Sequence, residues 1–137
     1  MHGGVHQTLL ELLRDEFPST IFFTIPTGQA ALTLRQMYDD NELFDEVAFE
    51  GPRASSLFTD PKGHQGDIIR VTGSLVWLSS LYGVDLPTYS YDTGFNTDLK
   101  GIAQTIMNEH FDQELSVYSV PAVGGLGLLA LGLSVLF

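Results

Sequence analysis

Leu115-Ser-Val-Tyr-Ser-Val120-Pro121-Ala-Val-Gly-Gly125-Leu-Gly-Leu-Leu-Ala130-Leu-Gly-Leu-Ser-Val135-Leu-Phe137 closes the chain without a single charge. From Leu129 onward, the odd positions Leu129, Leu131, Leu133, Val135 and Phe137 are all large, while the even positions Ala130, Gly132, Ser134 and Leu136 are mostly small. Successive strand side chains point to opposite faces, so a period of two places all five large groups on one face. Gly124-Gly125 can take the positive φ angles of a tight turn. The stretch 115–120 is β-prone and reads as the partner strand, with Pro121 at an edge or bulge. The helical alternative lines up Gly127, Ala130 and Ser134 as a small-residue packing seam. It makes the run 120–137 a short candidate for a bilayer span, which needs roughly 17–25 residues. The strand reading predicts a greasy closing hairpin, and the helix reading predicts a membrane anchor.

The rest of the composition narrows the classes. One domain, 1–137, is expected from 137 residues, with 119–137 as its hydrophobic C-terminal segment. A hydrophobic share of 44% supplies a core and excludes a disordered chain. There is no cysteine, hence no disulfide framework and no thiolate site. The net charge of −11 argues against a nucleic acid gripped through its phosphates. The six basic residues, Arg14, Arg35, Arg53, Lys62, Arg70 and Lys100, read as scattered.

Working back along the chain, Thr97 reads as the N-cap of a helix with Leu99, Ile102, Ala103, Ile106 and His110 on one face. The stretch 82–96 is turn-rich. The stretch 69–77 alternates, with Ile69, Val71, Leu75 and Trp77 opposite Arg70, Thr72 and Ser74, and predicts a strand with Gly73 as a bulge. Gly, Pro, Ser and Asp over 51–66 predict a long exposed loop. The stretch 39–50 holds six acidic residues and no basic one. The stretch 30–38 fits a helix through Ala31, Leu34 and Tyr38, or a strand through Leu32 and Leu34. β-branched and aromatic residues over 19–25 predict a strand. Val5, Leu9, Leu12 and Leu13 predict a helix over 5–17, stopped by Pro18. The expected fold is α+β: a small mixed or antiparallel sheet, two helices packed on it, and a C-terminal hydrophobic hairpin.

No catalytic motif emerges, and the chain is expected to be non-enzymatic, without metal or cofactor. His2 and His6 stand four apart, but Gly3-Gly4 separates them and no third ligand has local spacing. His64 lies in a polar stretch and His110 near a helix end, where solvent or a local cap is the expected partner. Asp39, Asp40, Glu42, Asp45, Glu46 and Glu50 lack the glycine at the sharp turn of a calcium loop. They read as an electronegative surface that acts as a field. Thr27-Gly28-Gln29 lacks the spacing and lysine of a phosphate loop. No nucleophile elbow is present.

The element order resembles that of tail-terminator and tail-completion (neck) proteins of long-tailed bacteriophages. The matching elements are a helix at 5–17, a strand at 20–25, a long loop at 51–66 and a long strand at 69–77. A helix at 98–111 opening with Asp98-Leu99 and a last strand at 128–137 complete the order. The resemblance implies a virion protein assembled in the host cytoplasm. It would form a homomeric ring, often hexameric, that contacts other tail and neck proteins. Asp39, Asp40, Glu42, Asp45, Glu46 and Glu50 would then line a lumen through which DNA passes without sequence-specific binding, and the hairpin with Leu129, Leu131, Leu133, Val135 and Phe137 would serve core and oligomer contacts. The tail also resembles bacterial C-terminal sorting signals through Val120-Pro121 and the Gly/Leu run, without their basic end. That resemblance implies a membrane-anchored or surface-sorted bacterial protein whose soluble portion is residues 1–119. The opening Met1-His-Gly-Gly-Val-His-Gln has neither the basic nor the apolar region of a secretory signal.

Overall fold

The computed structural model describes residues 3–117. Among the described residues, four α-helices and a two-stranded sheet make a mixed α+β fold in which the helices dominate. α1, Gly3–Glu16, forms where the apolar period predicts it. Pro18 ends its run, and the Phe17 N–H still reaches the Leu13 carbonyl at 2.9 Å. The expected strand over 19–25 is absent, and this stretch has no regular structure. It finds no partner strand, and β-propensity has effect only against a neighbour. Side groups hold it instead. Arg14 donates to the Phe22 carbonyl at 2.7 Å. His110 Nε2 lies 3.0 Å from the Thr24 carbonyl and 3.1 Å from its hydroxyl.

α2, Thr27–Asp39, resolves the ambiguous stretch as a helix that buries Ala30 and Leu34 and leaves Leu32 exposed. Its end is a Schellman turn. Asn41 takes φ 58°, the left-handed region that asparagine tolerates. The Asn41 N–H bonds to the Tyr38 carbonyl and the Glu42 N–H to the Met37 carbonyl, at 3.2 and 2.8 Å.

The sheet is smaller than expected, and parallel. β1, Ala48–Glu50, pairs with β2, Ser56–Phe58, in the register Ala48 to Ser56 and Glu50 to Phe58. Gly51-Pro52 and a 3-10 turn at Arg53–Ser55 join them, so the expected long loop holds real structure. The one antiparallel element among the described residues is a bridge between Phe58 and Gln65. Phe49 links sheet to helix, its ring 5.4 Å from Phe58 and 6.0 Å from Tyr38.

α3, Asp67–Tyr82, overturns the strand expected at 69–77. The buried positions are Ile68, Thr72, Leu75 and Ser79, with Ile69, Gly73 and Val76 beside them. That is helical spacing. Thr72, expected opposite Ile69 and Leu75, and Gly73, expected as a bulge, are thus core positions beside them. The Thr72 hydroxyl is satisfied by the Ile68 carbonyl at 2.9 Å. Gly73 lets α2 approach, because a Cβ there would stand 3.2 Å from Thr27 Cγ2. Trp77, placed with Ile69 and Leu75 by the alternation, is about half exposed while those two are buried. Gly83, at φ 62°, caps the helix by donating to the Ser79 carbonyl at 2.8 Å.

A 3-10 turn at Leu86–Thr88 leads to α4, Leu99–Val117. Of the predicted face, Leu99, Ala103 and Ile106 are buried and Ile102 and His110 are partly buried, while Met107, outside that prediction, is buried with them. The cap is not Thr97. The Asp98 carboxylate accepts the Gly101 N–H at 2.9 Å, and Thr97 is buried beside it. The backbone of 115–117, expected to open the closing hairpin, continues α4. The expected hairpin positions Leu129, Leu131, Leu133, Val135 and Phe137 lie outside the described residues, as does His2. The core is thus a helical layer of α2, α3 and α4 with Leu57 of β2 and Leu86, not a sheet with two helices on it.

Candidate functional site

The carboxylates of the stretch 39–50 have different partners. Asp39 accepts from Arg35 Nε at 2.8 Å, and the Arg35 guanidinium lies 4.4 Å over the Phe49 ring. Asp40 accepts from Gln36 at 2.8 Å. Glu42, Glu46 and Glu50 are exposed. Asp45 instead reaches across to the approach to α4. It accepts the Thr97 hydroxyl at 2.6 Å, the Thr97 N–H at 2.8 Å and the Asn96 N–H at 2.9 Å. Partial burial pushes its carboxyl up, but the bonds from Thr97 and Asn96 outweigh this and hold it below the usual aspartate range. Asp45 is therefore a fastener, while its neighbours form a solvated acidic rim.

The turn between β2 and α3 gathers positive charge. Asp60 organises it by accepting the backbone N–H groups of Lys62 and His64, at 2.9 and 3.3 Å, and by pairing with His64 Nδ1. The His64 bond is the main reason that Asp60 titrates below the usual range. His64 thus has the local partner expected for it, whereas His110 bonds to Thr24, far away in sequence. The Gly66 N–H donates to the Leu57 carbonyl at 2.6 Å, which draws this turn tight against the sheet. Arg53, Thr59, Gly63, His64, Gln65 and Arg70 then line an open basin of about 580 Å³. Arg70 also stands at one end of a second depression of about 360 Å³ between α3 and Tyr89 and Tyr91. The basic residues are therefore less scattered than they looked along the chain. The signal was present in the bunching of Arg53, Lys62 and Arg70 around one polar turn.

The third feature is apolar. On α1, Val5, Leu9 and Leu12 are exposed, and the following stretch adds Phe17, Ile21 and Phe23. Val5 is 73% and Ile21 88% exposed, although both are fully apolar side chains. Among the described residues, none of those in the core comes from α1. A ridge of this size is typical of a surface that meets something else. Among the described residues, no group of three or more potential ligands could hold a metal ion, and no helix is long and apolar enough to cross a membrane. No protein-family model, curated protein or solved structure matches this chain.

Proposed function

We propose that this chain is a non-enzymatic attachment module, held at a bacterial membrane or cell surface through its uncharged C-terminal segment. The observation that carries this reading is the segment 118–137, which has no charge and follows a described domain with a core of its own. Every apolar residue that the described core buries falls between Ala30 and Met107. Helix α4 runs on to Val117, beyond the last of them. The twenty residues 118–137 that follow it are the most apolar stretch of the chain. An uncharged apolar segment of about that length is disfavoured by water and suits attachment to a bilayer. Flotation with lipid vesicles tests this. The full chain should float, and a chain ending at residue 117 should stay in the aqueous layer with an unchanged melting temperature. A truncated chain that fails to fold would sink the proposal.

A ring-forming virion protein of the bacteriophage tail or neck is the second reading. Its support is the exposed ridge of α1, which suits contact between copies. The long central strand of the resemblance is a helix, and the strand at 20–25 is irregular, so element order no longer favours it. Sedimentation without detergent separates the two. A homomeric ring that Leu9→Glu dissolves would favour the virion reading over the membrane.

A further inference from the structure

We infer that the basin and the neighbouring groove form one ligand site, which takes a small molecule joining a phosphate-type anion to a flat ring. The two depressions meet at Arg70, which lines both. The basin supplies the charge. The whole chain has 17 acidic and only six basic residues, yet Arg53 and Arg70 share this one cavity, and Lys62 lies in its turn. Arg53 has no carboxylate partner among the described residues. Arg70 gives one nitrogen to Asp67 at 3.0 Å, and its other nitrogens stay available. A planar guanidinium with several donors matches tetrahedral anions in a way that a surface lysine does not. Two of them facing one cavity in so acidic a protein have their natural counter-charge in a ligand.

The groove supplies the flat wall. Val71, Leu75 and Leu78 form its floor on α3. Tyr89 and Tyr91 close it, their rings 6.1 Å apart and inclined by 26°, close to parallel. Lys100 Nζ donates to the Tyr89 carbonyl at 2.8 Å and holds this strap in place. Aromatic faces in such an arrangement accept a planar ring by stacking. Arg70, between the two halves, sets the spacing between ring and anion. Asp67 at the end of the groove disfavours a second negative group there, so one anionic group is expected, not a chain of them.

The test uses the full chain with adenosine monophosphate as probe, and inorganic phosphate and adenosine as its two halves. Calorimetry at low salt should give binding of the nucleotide at least about tenfold tighter than either half. Arg53→Gln should weaken the nucleotide and inorganic phosphate alike, by about tenfold. Tyr91→Ala should weaken the nucleotide and leave phosphate unchanged. Both side chains are exposed, and circular dichroism confirms that each variant folds. No nucleotide binding at millimolar concentration would overturn the inference. So would equal affinity for phosphate and nucleotide, or an Arg53→Gln variant that binds as well as the parent.

Discussion

Asp45 and Thr97 hold each other across 52 positions of chain: the Thr97 hydroxyl donates to the Asp45 carboxylate at 2.6 Å and the Thr97 N–H at 2.8 Å. The same hydroxyl accepts the Phe44 N–H at 3.1 Å. Thr97 is 2% exposed, so both its donors depend on this partner. Asp45→Ala should cost about 2 kcal/mol, because it strands buried donors. Glu42→Gln, Glu46→Gln and Glu50→Gln should each stay within about 0.5 kcal/mol. Urea unfolding followed by the fluorescence of Trp77 measures all four, since the chain has no other tryptophan.

Acid should loosen the same fastener. Asp45 and Asp60 both titrate below the usual aspartate range in the folded chain. In the unfolded chain they bind protons more readily, so stability rises with pH through this window. Their contribution is complete above the ordinary aspartate value and is lost as pH falls through the lowered folded values. Stability measured from neutral to strongly acidic pH should fall there, and Asp45→Asn should flatten some of the fall. An unchanged slope in that variant would show that Asp45 is not among the groups responsible.

Gly66 is the position where backbone meets backbone. A Cβ there would stand 1.8 Å from the Ser56 carbonyl oxygen and 3.0 Å from that of Leu57. Neither strand nor helix start can retreat, because the Gly66 N–H bonds to the Leu57 carbonyl. Gly66→Ala should destabilise by on the order of 3 kcal/mol. The effect should appear as a lowered melting temperature. Gly28→Ala is the control, since nothing lies within 4 Å of a Cβ at Gly28.

Leu34 and Leu9 are both leucines on helices, and should answer differently. Leu34 is fully buried between α2 and the other core helices, so Leu34→Ala should cost about 2–5 kcal/mol. Leu9 is 52% exposed on the ridge of α1, and Leu9→Ser should barely change the melting temperature. It should instead reduce whatever association the ridge supports, read by sedimentation or vesicle flotation. A large loss of stability at Leu9 would mean that α1 belongs to the core.

Local pattern was enough for the helices whose period is unambiguous. Val5, Leu9, Leu12 and Leu13 marked α1, and Leu99, Ala103 and Ile106 marked the buried face of α4, because a spacing of three and four admits only one face. Pro18 was legible in the same way as the stop of the first helix. Tertiary packing decided α3. Ile69, Val71, Leu75 and Trp77 satisfy a period of two, but Thr72, Gly73 and Ser79 are the residues small enough to sit inside a helix–helix contact, and no pattern of hydrophobicity reveals that. It decided the sheet as well. The β-prone stretch 19–25 found no neighbour to pair with, while the short Ala48–Glu50 found Ser56–Phe58. The bond between Asp45 and Thr97, and the shared cavity of Arg53 and Arg70, have the same origin. Each joins residues through space, and the distance between them depends on how three helices pack, which local sequence does not encode.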